Sequence, residues 1–266
     1  MDIKLINGGV CAAQGFRAAG VHCGIRKNKT KKDLAMICSD VMANAAAVYT
    51  TNLVKGAPLT VTQNHIANGK AQAVICNSGN ANTCNANGIE IAEQMSHLVA
   101  KELNINANDV VVASTGVIGQ PLDITPIAKG IPVLAKSLSI SGSQDAAEAI
   151  MTTDTIDKQI AVEFTIGGKV CKMGGIAKRS GMIHPNIAPT LVFTRPAAAI
   201  SSDMLQKALS GDIANTFNML SIDGDTSTND MVTVLANGMA GNAEITADGE
   251  DFNTFMKALN TVTVNL

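Results

Sequence analysis

The run from Gly174-Gly175-Ile176-Ala177-Lys178 to Thr190-Leu191 leads a glycine-rich, lysine-bearing loop through a His184-Pro185 turn. It ends in an apolar stretch with a single threonine, Thr190. Small residues beside that threonine let its hydroxyl and the preceding carbonyl approach closely. An N-terminal-threonine nucleophile is released by self-cleavage from such a geometry. A nucleophile of this kind needs a base and donors for the oxyanion of a tetrahedral intermediate. Its own freed α-amino group, with a pKa of about 8, suits general-base work at neutral pH.

Donors are offered by Ser114-Thr115-Gly116-Val117-Ile118-Gly119, which follows a buried strand and so lies where loops carry function. Gly116 can present its N–H with no side chain in the way, and the Thr115 hydroxyl is a second donor. An ordinary turn after a strand has the same composition. Met151-Thr152-Thr153-Asp154-Thr155 clusters hydroxyls after a helix, as a turn or as a ligand site. Lys178 is a lone cation in a glycine-flanked loop, able to reach a substrate carboxylate or to stabilise developing negative charge. A solvated loop lysine is its ordinary alternative.

Asp223-Gly224-Asp225-Thr226-Ser227-Thr228-Asn229-Asp230 opens like a calcium loop. It lacks the glycine at the sixth position and the glutamate at the twelfth, so it reads as a turn held by Asx-type hydrogen bonds, with no metal. Asn77-Ser78-Gly79-Asn80-Ala81-Asn82 is a second polar turn that would line or support a site. His22, His65, His97 and His184 have no zinc spacing, and neither a G-x-S-x-G elbow nor a P-loop is present.

Taken in order, these segments resemble the ornithine acetyltransferase (glutamate N-acetyltransferase) family of arginine biosynthesis, from about Asn7 to the last residue. The resemblance implies an α/β fold, a layered sandwich of two β-sheets packed with helices, of the self-cleaving type. It implies acetyl transfer from N-acetylornithine to glutamate through an acetyl-threonine, with acetyl-CoA as a further donor and no metal or organic cofactor. It makes Thr115 and Gly116 the oxyanion pair and Thr152 and Lys178 substrate contacts, with Thr190 as both nucleophile and contact. It divides the chain into an α-chain-like portion, 1–189, and the start of a β-chain-like portion, 190–266, within one structural body. Two α- and two β-chains would form a heterotetramer in the cytoplasm.

The sequence departs from that family in three places. The family follows His-Pro-Asn with an apolar residue, alanine, threonine, an apolar residue and leucine. Here Ile187-Ala188-Pro189-Thr190-Leu191 puts Pro189 at the ungapped nucleophile position and leaves Thr190 as the only candidate. Proline has no hydroxyl, fixes its own φ and biases Ala188 towards an extended backbone. A one-residue slip in an extended segment turns a side chain to the opposite face. Arg179 stands where the family has a small residue. Family members are also longer, so a chain ending at Leu266 reads as C-terminally truncated, with a strand from Val262 left without a partner. Two other readings stand beside the transferase: an N-terminal-nucleophile amidohydrolase or aminopeptidase, and an inactive fragment.

These residues must be held by a body of 266 residues, enough for a sizeable core. Net charge is −2, which leaves no electrostatic footprint for nucleic acid or an anionic membrane. Aromatic residues are 3% and tryptophan is absent, so Ala, Val, Ile, Leu and Met must build the interior. Neither a signal peptide nor a membrane-length apolar run is visible. The six scattered cysteines read as small buried thiols of a reducing compartment.

Periodicity predicts strands over 71–76 and 110–113 and a helix over 89–103 between them. It predicts an interrupted helix over 123–138, a short helix over 143–151 capped by Ser143, and a hairpin turning at Gly167-Gly168. A helix over 202–219 capped by Ser202 follows, then an apolar run over 231–237 that is strand or buried helix. A helix over 251–259 comes last, before the alternating Val262-Thr263-Val264. Such alternation fits one α/β body without internal repeats.

Overall fold

The computed structural model describes residues 3–178, 191–216 and 227–266. In chain order it forms β1 (Lys4–Ile6), β2 (Phe16–Val21), β3 (Leu34–Tyr49), α1 (Ala57–His65) and β4 (Lys70–Asn77). There follow α2 (Gly88–Leu103), β5 (Val110–Ser114), α3 (Ile124–Lys136), α4 (Ser143–Ile150), β6 (Lys158–Ile166) and β7 (Lys169–Lys178). The remainder is β8 (Leu191–Pro196), α5 (Ser202–Asn215), β9 (Met231–Ala236) and α6 (Glu250–Asn265). No described helix is long and apolar enough to cross a membrane.

Successive residues of the central strands join different apolar clusters, and this alternation defines the layers. Val192 of β8 and Val232 and Val234 of β9 pack with α5 and α6, through Leu205, Leu209, Phe255 and Leu259. Their neighbours Leu191, Phe193, Met231 and Leu235 face the other way, onto Val74, Cys76, Val111 and Ala113 of β4 and β5. Ala73, Ile75, Val110 and Val112 then meet the apolar faces of α2 and α3. Strands buried on both faces read as continuous apolar runs, here mostly aliphatic. The order is thus helix, strand layer, strand layer, helix.

The expected layered α/β fold forms, and its two strand layers share a strand. Hydrogen bonding joins the described strands into one nine-stranded mixed sheet, ordered β1-β6-β7-β8-β9-β3-β4-β5 with β2 also on β3. The 16-residue β3 is the common member: Leu34–Cys38 pairs with β4, and Asn44–Tyr49 pairs with β9. An irregularity between Cys38 and Ala43 lets one strand serve both layers, since a bulge bends the strand that carries it.

Most expected elements form, including the β6–β7 hairpin, whose Gly167 and Gly168 have φ of 53° and 77°. Within 123–138, α3 (Ile124–Lys136) runs unbroken through Pro132 and is capped by Asp123, which accepts from Thr125 N at 2.9 Å. Several expectations are corrected. Val262-Thr263-Val264 is not a strand: α6 continues to Asn265, because Phe252, Phe255, Leu259 and Val262 fall on one buried helical face. Burial overrides the β-branched pattern, and residues 262–264 present no open strand edge. Ser143 is not a cap; Gly142 holds that position, and Ser143 Oγ accepts from Val10 N while donating to Gln159. Ser201, not Ser202, caps α5 by accepting from Met204 N, and Ser202 Oγ donates to Gly69 O. Residues 217–219 of the expected helix lie outside the described residues. Cys84 is exposed in a turn at φ 61°, unlike the buried Cys38, Cys76 and Cys171.

Candidate active site

The β4 and β5 ends run side by side and in parallel, Asn77 beside Ser114, so the turns that follow them are neighbours. Between these turns, the 151–153 segment after α4, the end of β7 and the 227–229 segment before β9 lies a cavity of about 530 Å³. Thr115, Gly116, Thr152 and Lys178 all line it, four residues drawn from three distant parts of the sequence. Ser78, Gly79 and Ala81 of the Asn77–Asn82 turn share the wall, as do Ser227, Thr228 and Asn229.

Gly116 has φ 122°, a region that favours glycine, and a Cβ there would lie 2.6 Å from the Gly79 carbonyl carbon. Its N–H has no partner among the described residues, whereas Thr115 N donates to Asn77 O at 2.9 Å. The Thr115 hydroxyl likewise makes no hydrogen bond among the described residues, although Thr115 is only 8% exposed. Two donors on cavity-lining residues are therefore left without partners among the described residues, while the backbone beside them is tied down.

Asparagine side chains do the tying. Asn77 Nδ2 donates to Ser114 Oγ at 2.7 Å, and Asn77 Oδ1 accepts from Gly79 N and Asn80 N. Asn229 Nδ2 donates to Ala81 O at 2.7 Å and Ser114 O at 2.9 Å. Asn229 Oδ1 accepts from Thr83 Oγ1 and Thr228 Oγ1, each at 2.6 Å. The Asn-rich segments thus do structural work, as Asx chemistry leads one to expect.

Lys178 is 7% exposed, so its ammonium is not the solvated loop lysine of the ordinary alternative. Burial pushes its pKa below the usual lysine value, and the nearby Asp154 and Asp230 carboxylates oppose that shift. Asp154 is fixed in turn, accepting from Thr152 N at 3.2 Å and from Lys158 Nζ at 3.1 Å.

Arg26 also lines the cavity and was not legible in sequence, where it sits in the basic run Arg26-Lys27-Asn28-Lys29-Thr30-Lys31-Lys32. Pro189 and Thr190, His184 and Asp223–Thr226 lie outside the described residues. The described chain resumes at Leu191, which pairs with Lys178 on one side and Met231 on the other.

The ArgJ family model matches residues 17–266. The arginine biosynthesis bifunctional protein ArgJ of Caldanaerobacter subterraneus is 48% identical over 265 residues, 99% of this chain and 65% of its own length. This chain therefore spans about two thirds of the length of that relative. The crystal structure of ArgJ from Bacillus halodurans superposes with TM-score 0.65 at 43% identity, over 70% of this chain and 97% of that one. Ornithine acetyltransferase of Mycobacterium tuberculosis, solved with ornithine, gives TM-score 0.63 at 35% identity, over 69% of this chain and 98% of that one. The chain belongs to the ArgJ family.

Proposed function

We propose that the cavity is an acetyl-transfer site of arginine biosynthesis, which takes the acetyl group of N-acetylornithine and delivers it to glutamate. The convergence of Thr115, Gly116, Thr152 and Lys178 on one cavity carries this reading. The ornithine bound to the Mycobacterium tuberculosis relative supports the amino-acid class of ligand. In this mechanism the chain is cut before Thr190, separating 1–189 from 190–266, which stay together as one body. The solved relatives support such a division, each matching over nearly its whole length but covering only 70% and 69% of this chain.

The Thr190 hydroxyl then attacks the acetamide carbonyl, and the freed α-amino group takes its proton. The oxyanion is held by the Gly116 N–H and the Thr115 hydroxyl. Collapse breaks the C–N bond, and the proton passes to the ornithine amine, leaving an acetyl ester on Thr190. The glutamate amine attacks that ester by the reverse sequence. Lys178 and Thr152 hold the amino-acid substrate, with the cation facing its carboxylate. Acetyl-CoA serves as a further donor, no cofactor is needed, and two α- and two β-chains form the assembly.

Pro189 favours a second reading, in which the chain binds the amino acid without transferring the acetyl group. Intact-mass analysis with N-acetylornithine separates them. Transfer gives two fragments and an acetyl adduct on the one that starts at Thr190, which glutamate removes. An uncut chain that binds ornithine and gains no adduct supports the second reading. Ornithine release at full rate without glutamate would mean hydrolysis and overturn both.

A further inference from the structure

The Arg26 guanidinium bridges two walls of the cavity. Nε donates to Ser78 O at 3.0 Å and Nη2 to the same carbonyl at 2.5 Å, and Nη2 also donates to Met151 O. Ser78 precedes Gly79, whose backbone is packed against Gly116, and Met151 precedes Thr152. One side chain therefore joins the wall that holds Gly116 to the segment that carries the Thr152 hydroxyl.

The bridge is itself anchored. The buried Asp33 carboxylate accepts from Cys23 N at 2.7 Å, Gly24 N at 3.3 Å and Arg26 N at 2.9 Å. Asp33 also accepts from Ser78 N, at 3.0 Å, through its main-chain carbonyl. Ser78 is thus gripped at its N–H by Asp33 and at its carbonyl by Arg26, while its hydroxyl donates to Ala149 O. Carbonyls, not carboxylates, receive the Arg26 hydrogen bonds. What matters is the planar fork that can reach two acceptors at once, which an ammonium cannot reproduce.

We propose that Arg26 is a positioning residue of the site, setting the span between the Gly116 wall and Thr152. It acts on the substrate through those two segments, and the inference rests on the amino-acid reading given above.

The test uses the whole 266-residue chain, with ornithine as the probe in calorimetric titration and hydrogen exchange read by peptide. Arg26→Ala should weaken ornithine binding by roughly tenfold or more, the scale of a lost charge-assisted hydrogen bond. Arg26→Lys should not restore it, and methylguanidinium added to Arg26→Ala should. Exchange should quicken in 78–80 and 151–154 of both variants and stay unchanged in α6. Wild-type binding by Arg26→Lys, or unchanged exchange in those two segments, would overturn the proposal. Should Arg26→Ala not fold, Arg26→Lys carries both measurements. A wild-type chain that binds no ornithine sinks the amino-acid reading, and the exchange arm still decides whether Arg26 holds the two walls together.

Discussion

Asn229 Nδ2 donates to the Ser114 carbonyl at 2.9 Å, fastening the segment before β9 to the end of β5. The same amide reaches Ala81 O, and its oxygen takes two threonine hydroxyls, so both of its polar atoms are used. One buried side chain thereby fixes three of the segments that wall the cavity. Shape is set by amides and turns, and the Gly116 N–H and the Thr115 hydroxyl, without partners among the described residues, belong to residues that line the cavity.

Asn229→Ala should be costly, because it strips the short hydrogen bonds from two carbonyls and two hydroxyls in a buried place, leaving Ala81 O and the two hydroxyls only the longer contacts of Thr83 Oγ1 at 3.4 and 3.3 Å. A loss of roughly 2–4 kcal/mol in urea unfolding is expected, from one to three per orphaned group with partial relaxation. A loss under about 0.5 kcal/mol would show that the cavity walls stand without this link.

Lys178→Met should lower affinity for ornithine, the ligand proposed for the site, by roughly tenfold or more, while leaving stability equal or higher. The variant removes a cation whose burial outweighs the favourable field of Asp154 and Asp230, since its pKa is shifted downward on balance. The sign of the pH dependence follows. With its pKa pushed below 10.5, Lys178 loses its proton earlier than an ordinary lysine as pH rises, and carboxylate affinity should decline earlier with it. Affinity flat to the ordinary lysine range would mean that Lys178 does not face the carboxylate.

Phe255→Ala tests the packing of α6. Phe255 is fully buried against the outer strand layer, and emptying such a site costs about 3–5 kcal/mol. Val264→Ala, on the exposed side of the same helix, should change stability by less than about 0.5 kcal/mol. Equal losses at both positions would return 262–264 to the strand pattern that the sequence suggests.

What sequence conveys here depends on range. The β4–α2–β5 unit and the β6–β7 hairpin were legible because each is set by local periodicity and turn residues. β3 was not, since its irregularity between Cys38 and Ala43 breaks the alternation and its two partner sets are far apart in the chain. The end of α6 was misread because Val262-Thr263-Val264 favours strand locally, while burial of Val262 against the sheet decides otherwise. Thr115, Gly116, Thr152 and Lys178 could be picked out by motif, and the cavity brings them together. Arg26 carries no local signal: its partners, Ser78 and Met151, are main-chain carbonyls that any residue could supply.

Gly116→Ala and Thr115→Ala should fail differently. A Cβ on Gly116 meets the Gly79 backbone at 2.6 Å and sits at φ 122°, so the loop must move to admit it. Melting temperature should fall, and hydrogen exchange at 78–80 should quicken. Thr115→Ala removes only a hydroxyl that bonds to nothing described, so stability should stay within about 0.5 kcal/mol of wild type. In a version with active acetyl transfer it should lower turnover on the order of a hundredfold or more, with little change in KM. A change confined to KM would make Thr115 a substrate contact instead.

Arg195 offers the clearest gain in stability. It is fully buried on β8, its Nη1 donates to Thr194 O at 2.8 Å, and its Nε and Nη2 make no hydrogen bond among the described residues. No carboxylate pairs with it among the described residues; the Phe193 ring lies 5.8 Å from the guanidinium carbon. Burial alone pushes its pKa down, to about 9. A folded pKa below the unfolded one means the native state holds that proton less tightly, so the cost is present in full at neutral pH and eases as pH rises past about 9. Arg195→Met keeps the length and removes the charge. It should stabilise the fold at pH 7 by on the order of 1–4 kcal/mol, the range seen when buried ionic groups give way to apolar ones of similar size. That gain should shrink above pH 9, when both proteins are unfolded in urea across the same pH series. A destabilised Arg195→Met at pH 7 would mean that the guanidinium has a partner in the native protein after all.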